Sequence, residues 1–155
     1  MIIMLTLMFL LFDVISKIIV IKSLDIGQSV TVINNFFNIT YVRNTGVAWS
    51  LLNNKQILIL IVSFLIILGI IFYIFKNRPK NIYEKLAYSM ILSGAIGNFI
   101  DRIIHNGVID FLDFNIFGYD YPIFNLADCF VVIGVIILII VAWRCNTGGN
   151  SSRRK

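Results

Sequence analysis

Apolar residues dominate four long stretches of this chain, each close to the ~20 residues that an α-helix needs to cross a bilayer. The cleanest runs from Ile57 to Phe75 and contains no charge. The first, Ile2 to Ile21, is interrupted only by Asp13 and Lys17. The third, from about Leu86 to Ile104, carries Asp101 and Arg102 near its end, and the fourth, from about Asn125 to Trp143, carries Asp128 near its start. The pattern predicts an all-α membrane protein, a bundle of four transmembrane helices over 2–21, 57–75, 86–104 and 125–143. No Lys or Arg precedes the first stretch and no A-x-A-like site follows it, so it reads as a retained helix rather than a cleaved leader.

The connections differ in character. Within 22–56, Ser29 to Ile33 and Asn38 to Arg43 are rich in Val, Ile, Thr and Tyr and are separated by Asn34-Asn35. That pattern predicts a short antiparallel pair between the first two helices. The 105–124 connection reads as a loop, and its aromatic residues from Phe114 to Phe124 suit the headgroup level. Residues 1–145 form one expected domain, followed by a polar, disordered tail over 146–155.

Composition agrees. The 155 residues are 59% hydrophobic and 14% charged, against about a quarter charged in soluble domains. An ordinary soluble globule is excluded, as is a nucleic-acid partner, which needs a charged, apolar-poor chain. The +5 net charge therefore reports topology. Lys76, Arg78, Lys80, Lys85, Arg144, Arg153, Arg154 and Lys155 fall on one side of a four-span chain, and Lys22, Arg43, Lys55 and Arg102 on the other. The positive-inside rule places both termini in the cytoplasm.

Charges inside apolar runs carry the chemical information, since each costs roughly 2.5–3.5 kcal/mol at a helix centre. Asp13 and Lys17, at i and i+4, share a helical face, and mutual neutralisation explains them without chemistry. Gly94, Asn98, Asp101 and Arg102 line one stripe of the third stretch, and Ser93 with Gly97 makes a small-xxx-small pair for close helix approach. Packing explains the small residues but not an amide, an acid and a guanidinium together. Asp110 lies just beyond the third stretch and Asp128 in the first turns of the fourth, so the two acids can meet at one membrane boundary. If they do, they share a single proton and supply a general base and a general acid together. For Asp128 a helix N-terminal charge is the plain alternative, and for Asp113 a solvated loop acid. Asn44 and Gly46 suit a turn or an oxyanion-binding amide beside exposed backbone. Cys129 and Cys145 are 16 residues apart on one helix, about 24 Å, beyond disulfide reach. Two Cys and one His offer no metal-ligand spacing.

Five blocks carry a resemblance: Phe12 to Lys17, Arg43 to Trp49, Gly94 to Arg102, Val108 to Asp113 and Phe124 to Asp128. In order and spacing the chain resembles the lipoprotein signal peptidases, signal peptidase II. Val47 and Ile109 depart mildly from that family's usual Ala and Val, and Val47 would slightly narrow a binding groove. The resemblance implies an intramembrane aspartyl endopeptidase of the bacterial cytoplasmic membrane. It would cut prolipoproteins on the amino side of a diacylglyceryl-modified cysteine. Asp110 and Asp128 would be catalytic, Asn44, Gly46, Asn98, Arg102, Asn125 and Ala127 would bind substrate, and Asp13, Lys17 and Asp101 would support them. A small extracytoplasmic β-cradle would join the four helices. Neither metal nor cofactor is expected, and the partners are the lipidated substrate and membrane lipid, with the enzyme a monomer. A proton-conducting or transport protein, or a helix-packing factor without activity, are the rival classes. The first needs polar groups at successive depths of the bundle; the second predicts that Asp110→Asn and Asp128→Asn leave function intact.

Overall fold

The computed structural model describes residues 1–46 and 55–149. Four helices appear: α1 (Ile2–Ser23), α2 (Gln56–Asn77), α3 (Ile82–His105) and α4 (Leu126–Gly149). α1, α2 and, over Leu126–Arg144, α4 are long and apolar enough to cross a membrane. α3 is long enough but more polar, because it is the helix the others pack around. It touches all three of its fellows and buries Ser89, Ser93, Gly94, Gly97 and Asp101. Small residues at those positions let backbones approach closely in lipid, where apolar side chains gain nothing from association. A Cβ on Gly94 would strike the Ala127 carbonyl of α4, and one on Gly97 would strike the Asp13 carboxylate of α1.

α1 inverts the usual amphipathic logic. Its buried positions are Thr6, Asp13, Lys17 and Val20, while Ile3, Leu7, Leu11, Ile15 and Ile19 are exposed. A helix in lipid turns its apolar face outward and spends its polar residues on neighbours.

Antiparallel strands gather where α1 and α3 end and α2 and α4 begin. Their order is β1 (Ser29–Ile33), β2 (Phe37–Asn44), β3 (Val108–Ile116), β4 (Tyr119–Asp120). The expected pair is therefore present, but it is half of the sheet. The 105–124 connection, read as a loop, supplies β3 and β4, so the cradle does not lie only between the first two helices. β3 lacks alternation because its first four residues are buried on both faces, which hides it from a period-2 reading. Asp113 consequently sits on a strand, half-buried, and accepts from Thr40 Oγ1 at 2.5 Å. α4 continues to Gly149, through the first part of the expected disordered tail; 150–155, with Val47 to Trp49, lie outside the described residues.

Val20, Tyr41, Ile109 and Phe111 form the core that seats the sheet on the bundle. β2 carries an extra residue between Ile39 and Val42, opposite Leu112 and Asp110. Such bulges bend a strand and re-aim its side chains. Here the bulge brings Asn44 into diagonal reach of Asp110 across the ladder.

Candidate active site

Two local structures set the site. Ahead of α4, Phe124 pairs with Leu112 of β3: Leu112 N donates to Phe124 O at 2.8 Å and Phe124 N to Leu112 O at 3.1 Å. That backbone clasp delivers the next residue, Asn125, to the flank of β3 beside Asp110. α4 then starts with a capping box. Asp128 N donates to Asn125 Oδ1 at 3.1 Å, and Asn125 N donates back to Asp128 Oδ2 at 3.2 Å. The helix-terminus explanation of Asp128 is thus correct as far as it goes. It accounts for one carboxylate oxygen and leaves the other turned to the site.

Asn125, fully buried, links the two acids. Its Nδ2 donates to Asp110 Oδ1 at 2.7 Å while its backbone holds Asp128. The second oxygen of Asp110 accepts from Asn44 Nδ2 at 2.9 Å, and Asn44 Oδ1 accepts from Gly46 N at 3.0 Å, an Asx turn. The free oxygen of Asp128 accepts from Asn98 Nδ2 at 2.8 Å. Both acids, with Asn44, Asn98 and Arg102, line one cavity of about 910 Å³. Arg102 spans its edge, donating to Asn98 O at 3.1 Å and Gly46 O at 3.2 Å, and its buried Nε has no partner among the described residues. Phe114, Phe124 and Tyr121, in successive ring contact at 5.7 and 5.8 Å, wall the cavity. The aromatic stretch therefore builds the site rather than only facing headgroups.

Burial pushes the Asp110 carboxyl up to about 7, and the negative Asp128 adds to the rise, against the hydrogen bonds from Asn44 and Asn125. A carboxyl at that value is partly protonated near neutrality, beside a second acid in the same cavity.

Behind the two acids lies a buried ionic cluster. Lys17 Nζ stands 2.8 Å from both Asp13 Oδ2 and Asp101 Oδ2. The i,i+4 pair is as expected, but Asp101 turns toward α1 and not toward the cavity stripe. Asp13 Oδ1 accepts from Ala127 N at 3.0 Å, capping α4 from another helix, and Asp101 Oδ2 accepts from Ile109 N at 3.3 Å. Ala127 contributes backbone only. Gln56, which nothing in the pattern singles out, ties the start of α2 to Thr45 O at 2.7 Å and Asn106 O at 3.1 Å. Cys129 also lines the cavity. Its one signal is its place one residue after Asp128.

This architecture has known counterparts. A solved bacterial membrane enzyme superposes with a TM-score of 0.85 at 38% identity, covering 99% of this chain and 91% of its own. A second solved bacterial membrane enzyme gives 0.82 at 40% identity, with 91% of each chain covered. The sequence model of the family described as signal peptidase (SPase) II matches residues 5–144.

The chain belongs to the signal peptidase II family.

It is also 44% identical over 130 residues to the lipoprotein signal peptidase of Staphylococcus aureus, across 84% of this chain and 80% of that protein; the sequence from strain Mu50 matches equally. Signal peptidase II enzymes are aspartic-type peptidases, and this chain is a membrane-embedded bacterial peptidase.

Proposed function

We propose that the chain removes the signal peptide from diacylglyceryl-modified prolipoproteins, cutting on the amino side of the modified cysteine, with Asp110 and Asp128 as a catalytic dyad. The observation that carries this is Asn125, which bonds both carboxylates at once within one cavity. The negative Asp128 adds to the rise of the Asp110 carboxyl, the coupling by which two neighbouring acids come to hold one proton between them. Aspartic proteases run on the same arrangement, two carboxyl groups sharing a proton.

Asp110, the acid that burial raises to about 7, serves as the proton donor, and Asp128 serves as the general base. Water between them gives a proton to Asp128 as its oxygen attacks the scissile carbonyl carbon, and Asp110 protonates the carbonyl oxygen. The resulting gem-diol collapses as Asp110 recovers that proton, Asp128 passes its own to the amide nitrogen, and the C–N bond breaks. The products are the carboxyl end of the signal peptide and the free amine of the lipidated cysteine. Asn44 and Asn98 orient the acids, Arg102 at the cavity edge faces the substrate, and Gly46 and Ala127 act through their backbones, Gly46 on Asn44 and Arg102 and Ala127 on Asp13.

The same proposal includes a topology. α3 is the fourth crossing, both termini are cytoplasmic, and the cavity opens at the outer face of the inner membrane. A substrate anchored by its acyl chains presents its bond there. The protein works as a monomer.

The test is cleavage of a synthetic diacylglyceryl-cysteine peptide by purified protein in nanodiscs, with product mass read directly. Wild type should cut before the cysteine, while Asp128→Asn, folded and inserted, should be inactive. Near-normal turnover by that variant, or a cut elsewhere, would overturn the assignment.

A further inference from the structure

Amide side chains carry a donor at one end and an acceptor at the other, so an unambiguous donor beside one end decides how the group faces. Two of the three amides around the acids are fixed by backbone N–H groups. Gly46 N fixes Asn44 and Asp128 N fixes Asn125. Asn98 has no such backbone donor among the described residues. Its Oδ1 accepts from Lys17 Nζ at 3.1 Å, and an ammonium has no acceptor with which to tolerate the reverse orientation. The other group at that oxygen is Asn125 Nδ2, at 3.2 Å, whose shorter bond goes to Asp110. Lys17 itself is 2% exposed and anchored by Asp13 and Asp101.

We infer that Lys17 is a positioning residue for the reaction, acting on Asp128 through Asn98: its ammonium fixes and polarises the Asn98 amide so that Nδ2 donates to the base oxygen. This rests on the dyad reading of Asp110 and Asp128. The chain of donation runs Lys17 Nζ–H to Asn98 Oδ1, then Asn98 Nδ2–H to Asp128 Oδ1. A charged donor at its head strengthens the bond at its tail. The ion cluster thus has a use beyond neutralising itself. The charged groups facing this region are Asp13 from α1, Asp101 and Arg102 from α3, Asp110 from β3 and Asp128 from α4.

Removing Lys17 alone strands two buried carboxylates, so the decisive protein is Lys17→Met with Asp101→Asn. Wild type holds one positive and two negative groups in the cluster; the double variant holds Asp13 alone. The net charge of −1 is the same, the amide introduced in place of Asp101 keeps an oxygen for Ile109 N, and the donor to Asn98 is lost. Kinetics in nanodiscs on the folded fraction should show kcat lower by at least about tenfold, the scale of one hydrogen bond to a charged group. KM should stay within about twofold. The acidic limb of kcat against pH should move to higher pH, because the ionised base has lost part of its support. Unchanged kcat and limb in the folded double variant would overturn the inference, as would a uniform fall across pH with the limb in place, which is a purely structural effect. Failure of the dyad itself would show separately, as turnover by Asp128→Asn.

Discussion

Asp110→Asn separates the chemistry of the dyad from its cost to the fold. In the folded protein this carboxyl is raised from 3.8 to about 7, about three units, each worth about 1.4 kcal/mol. Below pH ~4 the group is protonated whether the chain is folded or not, and it costs nothing. Between ~4 and ~7 the folded state holds a proton that the unfolded state has released, so stability falls as pH rises. Above ~7 the full cost is present, with a ceiling of about 4 kcal/mol. Asparagine has no such titration. It does lose one of the two bonds that Asp110 accepts from Asn44 and Asn125, because its own NH₂ must face one of those donors, at about 1–3 kcal/mol. The variant should therefore be less stable than wild type at pH 4.5 and more stable at pH 8.5, while cleaving nothing at either. Thermal unfolding in detergent micelles at the two pH values reads the crossing, and the lipopeptide assay reads the activity. A stability difference that does not change with pH would refute the raised carboxyl. Retained turnover would refute its role.

Further outcomes follow from other contacts. Gly94→Ala places a methyl against the Ala127 carbonyl and the Val131 side chain; the carbonyl belongs to the helix backbone and cannot turn aside, so α4 shifts, with a lower unfolding temperature, about 1–3 kcal/mol of lost stability and reduced turnover. Phe117 stands at the tip of the β3–β4 hairpin with φ 52, followed by Gly118 with φ 84, and it is fully exposed. Asparagine suits that turn position better, so Phe117→Asn should gain about 0.5–1 kcal/mol with unchanged cleavage in the same two assays. Water activation between two carboxyl groups needs no metal, so activity should survive EDTA; loss restored by zinc would contradict the water-activating dyad.

The helices were legible because lipid imposes long uninterrupted apolar runs, and β1 was legible to the residue because Val and Ile alternate with Ser and Thr between turn signals. β3 was not, since a strand covered on both faces loses the alternation that marks it. Convergence of Asp110 and Asp128 was a geometric possibility from spacing and an expectation from the resemblance. Its cause, the Phe124–Leu112 clasp, is a backbone pairing that no side chain announces. Asp13 with Lys17 was readable as an i,i+4 pair; that Asp101 completes the cluster from another helix is tertiary information. Asn125 and Ala127 were marked by the resemblance, whereas the capping box that gives Asn125 its double duty follows from the Asn-x-x-Asp pattern and the known start of α4.

The capping box makes the Asp128 carboxylate answer to three separate helices. Asp128 acquires its orientation only when α4 has begun at Asn125, α1 has supplied Asp13 to the Ala127 N–H, and α3 has supplied Asn98. Without any one of those contacts the residues are the same, but the carboxylate, or the helix start that carries it, is held at fewer points. The orientation of Asp128 is therefore a tertiary property: a change in α1 or α3 that leaves the residue itself untouched still releases part of its carboxylate or loosens the helix that carries it.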